Sequence, residues 1–173
     1  MESRTGTVDF ENMDNAALAE ASIGQGTILV SPFNMALVAG AIANNGVLMK
    51  PYIVEEASYD NGEVIYSAPT GVLNESIDSN TAYALNTYMQ GCVSGGTGTA
   101  ARVSGITVAG KTGTAETGKG ADHAWFIGFA PAENPQIALC VMVEHKSGGG
   151  GGVCAPIASR IISYAYKNGI ITN

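Results

Sequence analysis

The chain has 173 residues, 46% of them hydrophobic and only 13% charged, which is enough for one domain with a sizeable buried core. Its net charge of −7 argues against a nucleic-acid partner, because neutralising phosphates takes clustered lysines and arginines, and none occur. Apolar stretches such as 137–143 fall far short of the roughly 20 residues that span a bilayer, and the acidic, polar opening Met1-Glu-Ser-Arg is no secretion signal. Any anchor or export signal is therefore expected in sequence outside these residues.

The first twenty or so residues are polar and read as irregular. Ser22-Ile-Gly-Gln-Gly26 is a glycine-rich turn leading to Ser31, a good N-cap, and Pro32, which suits the first helical position. The helix predicted there has an apolar face of Met35, Leu37, Val38, Ala41 and Ile42, and Asn44-Asn45-Gly46 ends it. Residues 47–54 and 64–66 are predicted as extended pieces of a peripheral ribbon around the hairpin signal Asp60-Asn61-Gly62. Asp78 or Ser79 caps the next helix, with Ala82, Leu85, Tyr88 and Met89 on one face and Gly91 at its end. The stretch 94–100 is too glycine-rich for a helix interior.

In the last third, 106–116, 123–130 and 137–144 read as strands, and short connections make them an antiparallel three-stranded meander. A glycine-rich loop at 148–152 follows. From Pro156, the residues Ile157, Ile161, Ile162, Ala165 and Tyr166 predict a helix laid across that sheet. Cys92, Cys140 and Cys154 lack metal-ligand spacing and read as structural thiols, Cys140 in particular as core. His123 and His145 have no third ligand or triad pattern and read as surface residues. Glu116 and Asp122 suit a cleft mouth but have no glycosidase spacing.

The chemistry concentrates in Val108-Ala-Gly-Lys-Thr-Gly-Thr-Ala-Glu116. Thr112 and Thr114 are two apart, so on a strand their hydroxyls share a face, and two adjacent donors suit a carboxylate. Alternation puts Lys111 on the opposite face, so its ammonium must reach the site from beneath the strand edge. Gly110 and Gly113 leave that edge clear for an extended peptide to add by main-chain pairing, with a simple bulge as the plainer alternative. Trp125 alternates with Ile127 and Phe129 and reads as core or cleft wall.

Lys111-Thr112-Gly113 is one of three signature elements of the serine acyl-transfer enzymes that handle penicillin. The other two are not in the chain: none of its twelve serines has lysine three residues on, and no Ser-x-Asn occurs. With Ile23-Gly-Gln-Gly26, Val30-Ser-Pro32, Ala41-Ile-Ala-Asn-Asn-Gly46, Gly96-Thr-Gly-Thr-Ala100 and Ala124-Trp-Phe-Ile-Gly-Phe-Ala-Pro131 in the family's order, the sequence resembles the penicillin-binding proteins. The likeness is to the C-terminal part of a class B, monofunctional transpeptidase domain. The resemblance implies an α+β, β-lactamase/transpeptidase-like fold, an antiparallel sheet with packed helices, present over 1–173 only as its C-terminal portion. The upstream part with Ser-x-x-Lys and Ser-x-Asn is expected elsewhere.

For function it implies the substrate-binding half of a peptidoglycan D,D-transpeptidase, which acylates a serine with D-alanyl-D-alanine stem peptides, is a covalent target of β-lactams, and is inactive alone. Lys111 and Thr114 are then the catalytic residues, and Lys111, Thr112, Gly113 and Thr114 bind substrate. The ammonium serves proton traffic and electrostatics, the threonine hydroxyls take the terminal carboxylate, and the Thr114 N–H is one oxyanion donor. Implied partners are the missing N-terminal part, the stem peptide and β-lactams, with self-association of the exposed half and no metal or cofactor. The parent protein is expected at the extracytoplasmic face of the bacterial membrane. Alternatives are a fragment of a carboxypeptidase, β-lactamase or β-lactam sensor, or a noncatalytic peptide-binding module.

Overall fold

The computed structural model describes residues 6–8, 11–118 and 120–173. Its centre is a three-stranded antiparallel sheet in which β5 (Ala109–Ala115), β6 (His123–Ala130) and β7 (Ile137–Val143) lie side by side in chain order. The register runs without a break from Ala109 opposite Phe129 to Ala115 opposite His123, so the bulge alternative for the glycines of β5 is excluded. The meander follows from the short polar connections, as the sequence predicts.

Alternation along β6 builds a core on each face of the sheet. Ala124, Phe126 and Ala130 face α4 (Ala155–Lys167), against Ala155, Ala158 and Ile162. On the other face Phe129 packs with Met89 of α3 (Ser79–Ser94), Ala109, and Ile42 of α2 (Pro32–Ala43). Phe126, Phe129 and Ile162 are fully buried, each worth about 1.5–3 kcal/mol relative to exposure.

The helices form where their caps place them. The Ser31 hydroxyl accepts from the Asn34 N–H, the Asn34 side chain returns a bond to the Ser31 N–H, and Pro32 follows at the start of α2. Asp78 caps α3 by accepting from the N–H groups of Asn80 and Thr81. The Thr81 hydroxyl, first among these donors, holds its carboxyl below the usual carboxylate range.

Several expectations need correction. Within the stretch read as irregular lies a helix, α1 (Asn15–Ser22), capped by Asp14. It buries no residue, so no apolar periodicity marked it. Of 47–54 only β1 (Val47–Met49) is a strand, because Pro51 cannot continue a ladder. Its partner is β4 (Val72–Glu75), absent from the sequence reading. Around Asp60-Asn61-Gly62 the hairpin forms as predicted, but from β2 (Glu56–Ser58) and β3 (Val64–Ser67). Helix α3 passes through Gly91, where a side chain would meet open space, to Ser94. The 148–152 loop is partly a π-helical turn, Gly150–Cys154, and Thr99–Ala101 is a 3-10 turn.

Faces shift too: Val38 and Tyr88 are exposed, and so are Ile157 and Ile161 of α4. Alanines at 155, 158 and 165 with Ile162 make the buried stripe instead.

The cysteines are free. Cys154 is buried and its thiol donates to the Ala124 carbonyl at 3.1 Å, whereas Cys140 is half-buried rather than fully core. Burial, and then the neighbouring Cys154, push the Cys140 thiol up to about 11, and burial raises that of Cys154. Both therefore keep their protons in the fold at a pH where the unfolded chain, ordinary value 9.0, releases them. Stability from these thiols is intact below about pH 9 and declines as pH rises toward 11. Alkylation of the native chain at pH 8 should modify Cys92 well before Cys140 or Cys154. A first adduct on Cys140 would contradict this environment.

Candidate active site

Strand β5 is an edge of its sheet, so every second residue turns its N–H and C=O away from β6. The side-chain contacts identify which. The Lys111 ammonium donates to the Thr112 carbonyl at 2.6 Å, the Gln25 side-chain amide donates to the Thr114 carbonyl at 3.0 Å, and the Glu116 N–H donates to the Gln25 carbonyl oxygen at 3.3 Å. Thr112, Thr114 and Glu116 thus present the open edge. Because N–H and C=O of one strand residue point the same way, the N–H groups of Thr112 and Thr114 face outward with them.

Lys111 lies opposite Ile127, on the face toward α2 and α3, and curls round to the edge to reach the Thr112 carbonyl. This is the route that alternation predicts. Thr112 and Thr114 share the other face, opposite Phe126 and Ala124, and look onto the turn at 149–151. A Cβ on Gly149 would be 3.0 Å from the Thr114 hydroxyl, and one on Gly151 would be 3.8 Å from the Thr112 methyl. One ammonium and two hydroxyls therefore converge on the edge strand over four residues, 111–114.

The glycines of β5 owe their identity to packing. A Cβ on Gly110 would sit 2.2 Å from the Phe126 ring, so Gly110 is bare to admit the core phenylalanine, not to clear the edge. Gly113 has Trp125 at 3.2 Å from such a Cβ, and its backbone is covered by Gly150. Trp125 shares a face with Ile127 and Phe129, as read from the sequence.

Two residues were missed by sequence reasoning. Thr97 bonds the Thr112 hydroxyl at 2.6 Å and lies 3.6 Å from the Cys92 thiol, so the 96–100 loop fixes the rotamer of a candidate ligand. Gln25 grips β5 from a loop 89 to 91 positions upstream, inside the Ile23-Gly-Gln-Gly26 segment that carries the family resemblance. His123 and His145 form an edge-to-face pair with centroids 4.6 Å apart, the His145 N–H donating to His123 Nδ1 at 3.1 Å. Among the described residues no group of three or more His, Cys, Asp or Glu is arranged to hold a metal, and no helix is long and apolar enough to cross a membrane. Glu116 ends the open edge, while the Asp122 carbonyl accepts from the Lys146 N–H.

Residues 2–163 match the penicillin binding protein transpeptidase domain. The chain belongs to that family. The peptidoglycan D,D-transpeptidase PbpA of Mycolicibacterium smegmatis is 35% identical over 176 residues, an alignment covering 97% of this chain and 35% of the relative. Penicillin-binding protein A from M. tuberculosis, solved as a ceftriaxone acyl-enzyme complex, superposes with a TM-score of 0.85 at 33% identity over 92% of this chain and 37% of its own. The D,D-transpeptidase domain of a peptidoglycan glycosyltransferase from Eggerthella lenta gives 0.74 at 38% identity, over 84% and 34%. The chain thus spans about a third of the length of the curated relatives it matches, and its α+β architecture is that of the transpeptidase fold.

Proposed function

We propose that this chain supplies the substrate-binding edge of a peptidoglycan D,D-transpeptidase. It would be the C-terminal portion of the domain, and acyl transfer would start from a Ser-x-x-Lys serine in polypeptide beyond these residues. The observation that carries the reading is the open edge of β5. There an ammonium, two hydroxyls and two outward N–H groups converge on one short strand in a family whose M. tuberculosis relative is solved as an acyl-enzyme.

The roles follow from charge and position. The Lys111 ammonium sits at the Thr112 end of the edge and would draw the carboxylate of a D-alanyl-D-alanine stem peptide or of a β-lactam. The Thr112 and Thr114 hydroxyls would share that carboxylate, with Thr97 fixing the first of them. The Thr114 N–H, facing outward, would be one of two donors to the oxyanion that forms when the serine attacks the scissile carbonyl. Lys111 would also lower the cost of moving the serine's proton, by placing a positive charge beside the developing anion. Gly113 lets Trp125 and Gly150 lie tightly on either side of the strand and so keeps it straight. Neither metal nor cofactor is needed for this chemistry. The parent protein would act on the outer face of the cell membrane, where its substrate is.

The test is labelling by a fluorescent penicillin. The 173-residue chain alone should remain unlabelled, since it holds no serine with its activating lysine, whereas a mixture with the upstream half should be labelled on that other half. An adduct on a serine of this chain, found by intact mass, would overturn the reading.

A further inference from the structure

A hydroxyl has one proton to give, and the direction in which Thr112 gives it decides what that residue attracts. Its oxygen lies 2.6 Å from that of Thr97, so one hydrogen sits between the two. If Thr112 supplies that hydrogen, only lone pairs are left for a ligand and an anion is repelled. If Thr97 supplies it, the Thr112 proton stays available. The surroundings of Thr97 favour the second arrangement. Its other neighbour is the Cys92 thiol, 3.6 Å away, and sulfur accepts so weakly that the Thr97 proton is better placed on the Thr112 oxygen. The thiol can then give its own S–H to Thr97. Cys92, Thr97 and Thr112 run head to tail, each bond polarising the next.

The loop is built to hold Thr97 in that position. In the last turn of α3, the Cys92 carbonyl accepts from the N–H groups of both Gly96 and Gly98, at 3.1 and 3.0 Å, which folds the chain around residue 97. A Cβ on Gly96 would be 3.0 Å from the Cys92 Cα, and one on Gly98 would be 3.2 Å from its Sγ, so both flanks of Thr97 lie close against the helix. From the opposite direction, a Cβ on Gly151 would run into the Thr97 carbonyl oxygen. Thr97 is thus wedged between the end of α3 and the glycine turn, with its hydroxyl on Thr112.

We infer that Thr97 is a positioning residue that commits the Thr112 proton to the ligand, and so tunes the edge for a donor ending in a free carboxylate over one ending in a carboxamide. The inference rests on the transpeptidase reading of the edge and deepens it. A carboxylate can only accept, so it needs Thr112 as a donor. A carboxamide both donates and accepts, so either direction of the hydroxyl satisfies it. The bond to the carboxylate is also charge-assisted and gains most from a polarised chain behind it.

The experiment uses the complete domain that carries this chain with its serine, and two thioester donors that differ only in ending in a carboxylate or in the matching carboxamide. Thr97→Val keeps the shape but has no proton to give. It should lower the ratio of carboxylate to carboxamide donor, as kcat/KM, about three- to tenfold, the size of one net hydrogen bond, through KM with kcat little changed. Thr97→Ala, which cannot crowd the loop, should do the same, and Thr97→Ser should restore the ratio. In a Thr112→Val background, adding Thr97→Val should leave the ratio where the first change put it. A purely structural role would slow both donors alike, so an unchanged ratio in the folded variants, or a serine variant that behaves like valine, overturns the proposal. A further fall in the double variant would mean that Thr97 touches the carboxylate itself, and overturns the positioning role. If the wild-type domain takes no penicillin label, it is the transpeptidase reading that falls, and this proposal with it.

Discussion

Replacing Lys111 with alanine in the domain reconstituted from both halves should slow acylation by penicillin by roughly a hundredfold or more. The reasoning is electrostatic. In the fold the ammonium is held at the open edge by the Thr112 carbonyl, 2.6 Å away, so on the proposed reading its charge would stand in place before substrate arrives and would need no reorganisation as the oxyanion forms. Losing one preorganised group of this kind typically costs on the order of 3 kcal/mol, about two factors of ten in rate. Thr114→Val gives the contrast. It removes a hydroxyl but keeps the backbone N–H that would face the oxyanion, so it should act mainly on donor affinity, through the carboxylate, and far less on the rate at saturation. A Lys111→Ala domain that acylates at the wild-type rate while remaining folded would remove Lys111 from the chemistry.

What the sequence made legible was what local rules govern. The cap of α2 was readable at Ser31 and Pro32, and β6 ran from His123 to Ala130 as its alternation indicated, because a strand with a core on both sides has its period enforced along its whole length. That Lys111 lies on the face opposite Thr112 and Thr114 also followed from period two. The rest depended on contacts that spacing does not encode. Whether 47–54 made one strand or a short one was decided by Pro51 and by a partner, β4, whose four residues are all exposed and carry no burial pattern. The buried stripe of α4 departs from the sequence expectation because isoleucines outweigh alanines in any hydrophobic count, whereas of its isoleucines only Ile162 is buried, among alanines at 155, 158 and 165. Gln25 and Thr97 were invisible as site residues, since each acts through a hydrogen bond to a strand far along the chain. Gly110, bare beside the Phe126 ring, carries its reason in the neighbour's shape, which no single sequence displays.

That dependence on neighbours is sharpest at Gly150, and it yields the second large effect. A Cβ there would lie 2.0 Å from the Trp125 carbonyl oxygen and 2.8 and 2.9 Å from the backbone oxygen and nitrogen of Gly113. All three are main-chain atoms of the paired strands β5 and β6, so no rotamer change relieves the clash. The turn must lift off the sheet, or β5 must bend at the residue between Thr112 and Thr114. Gly150→Ala should therefore destabilise the folded domain by about 2–3 kcal/mol, at the upper end of ordinary overpacking, because rigid backbone rather than a side chain must give way. It should also weaken penicillin labelling beyond what the lost stability explains, since Thr112 and Thr114 look onto this turn. Gly152 is the control two residues on: a Cβ there meets nothing within 4 Å, so Gly152→Ala in the same turn should change stability by no more than about 0.5 kcal/mol. Urea unfolding of the two variants side by side makes the comparison. Equal midpoints would mean that the glycine turn does not press on Gly113, and that the shape of the strand edge is set elsewhere.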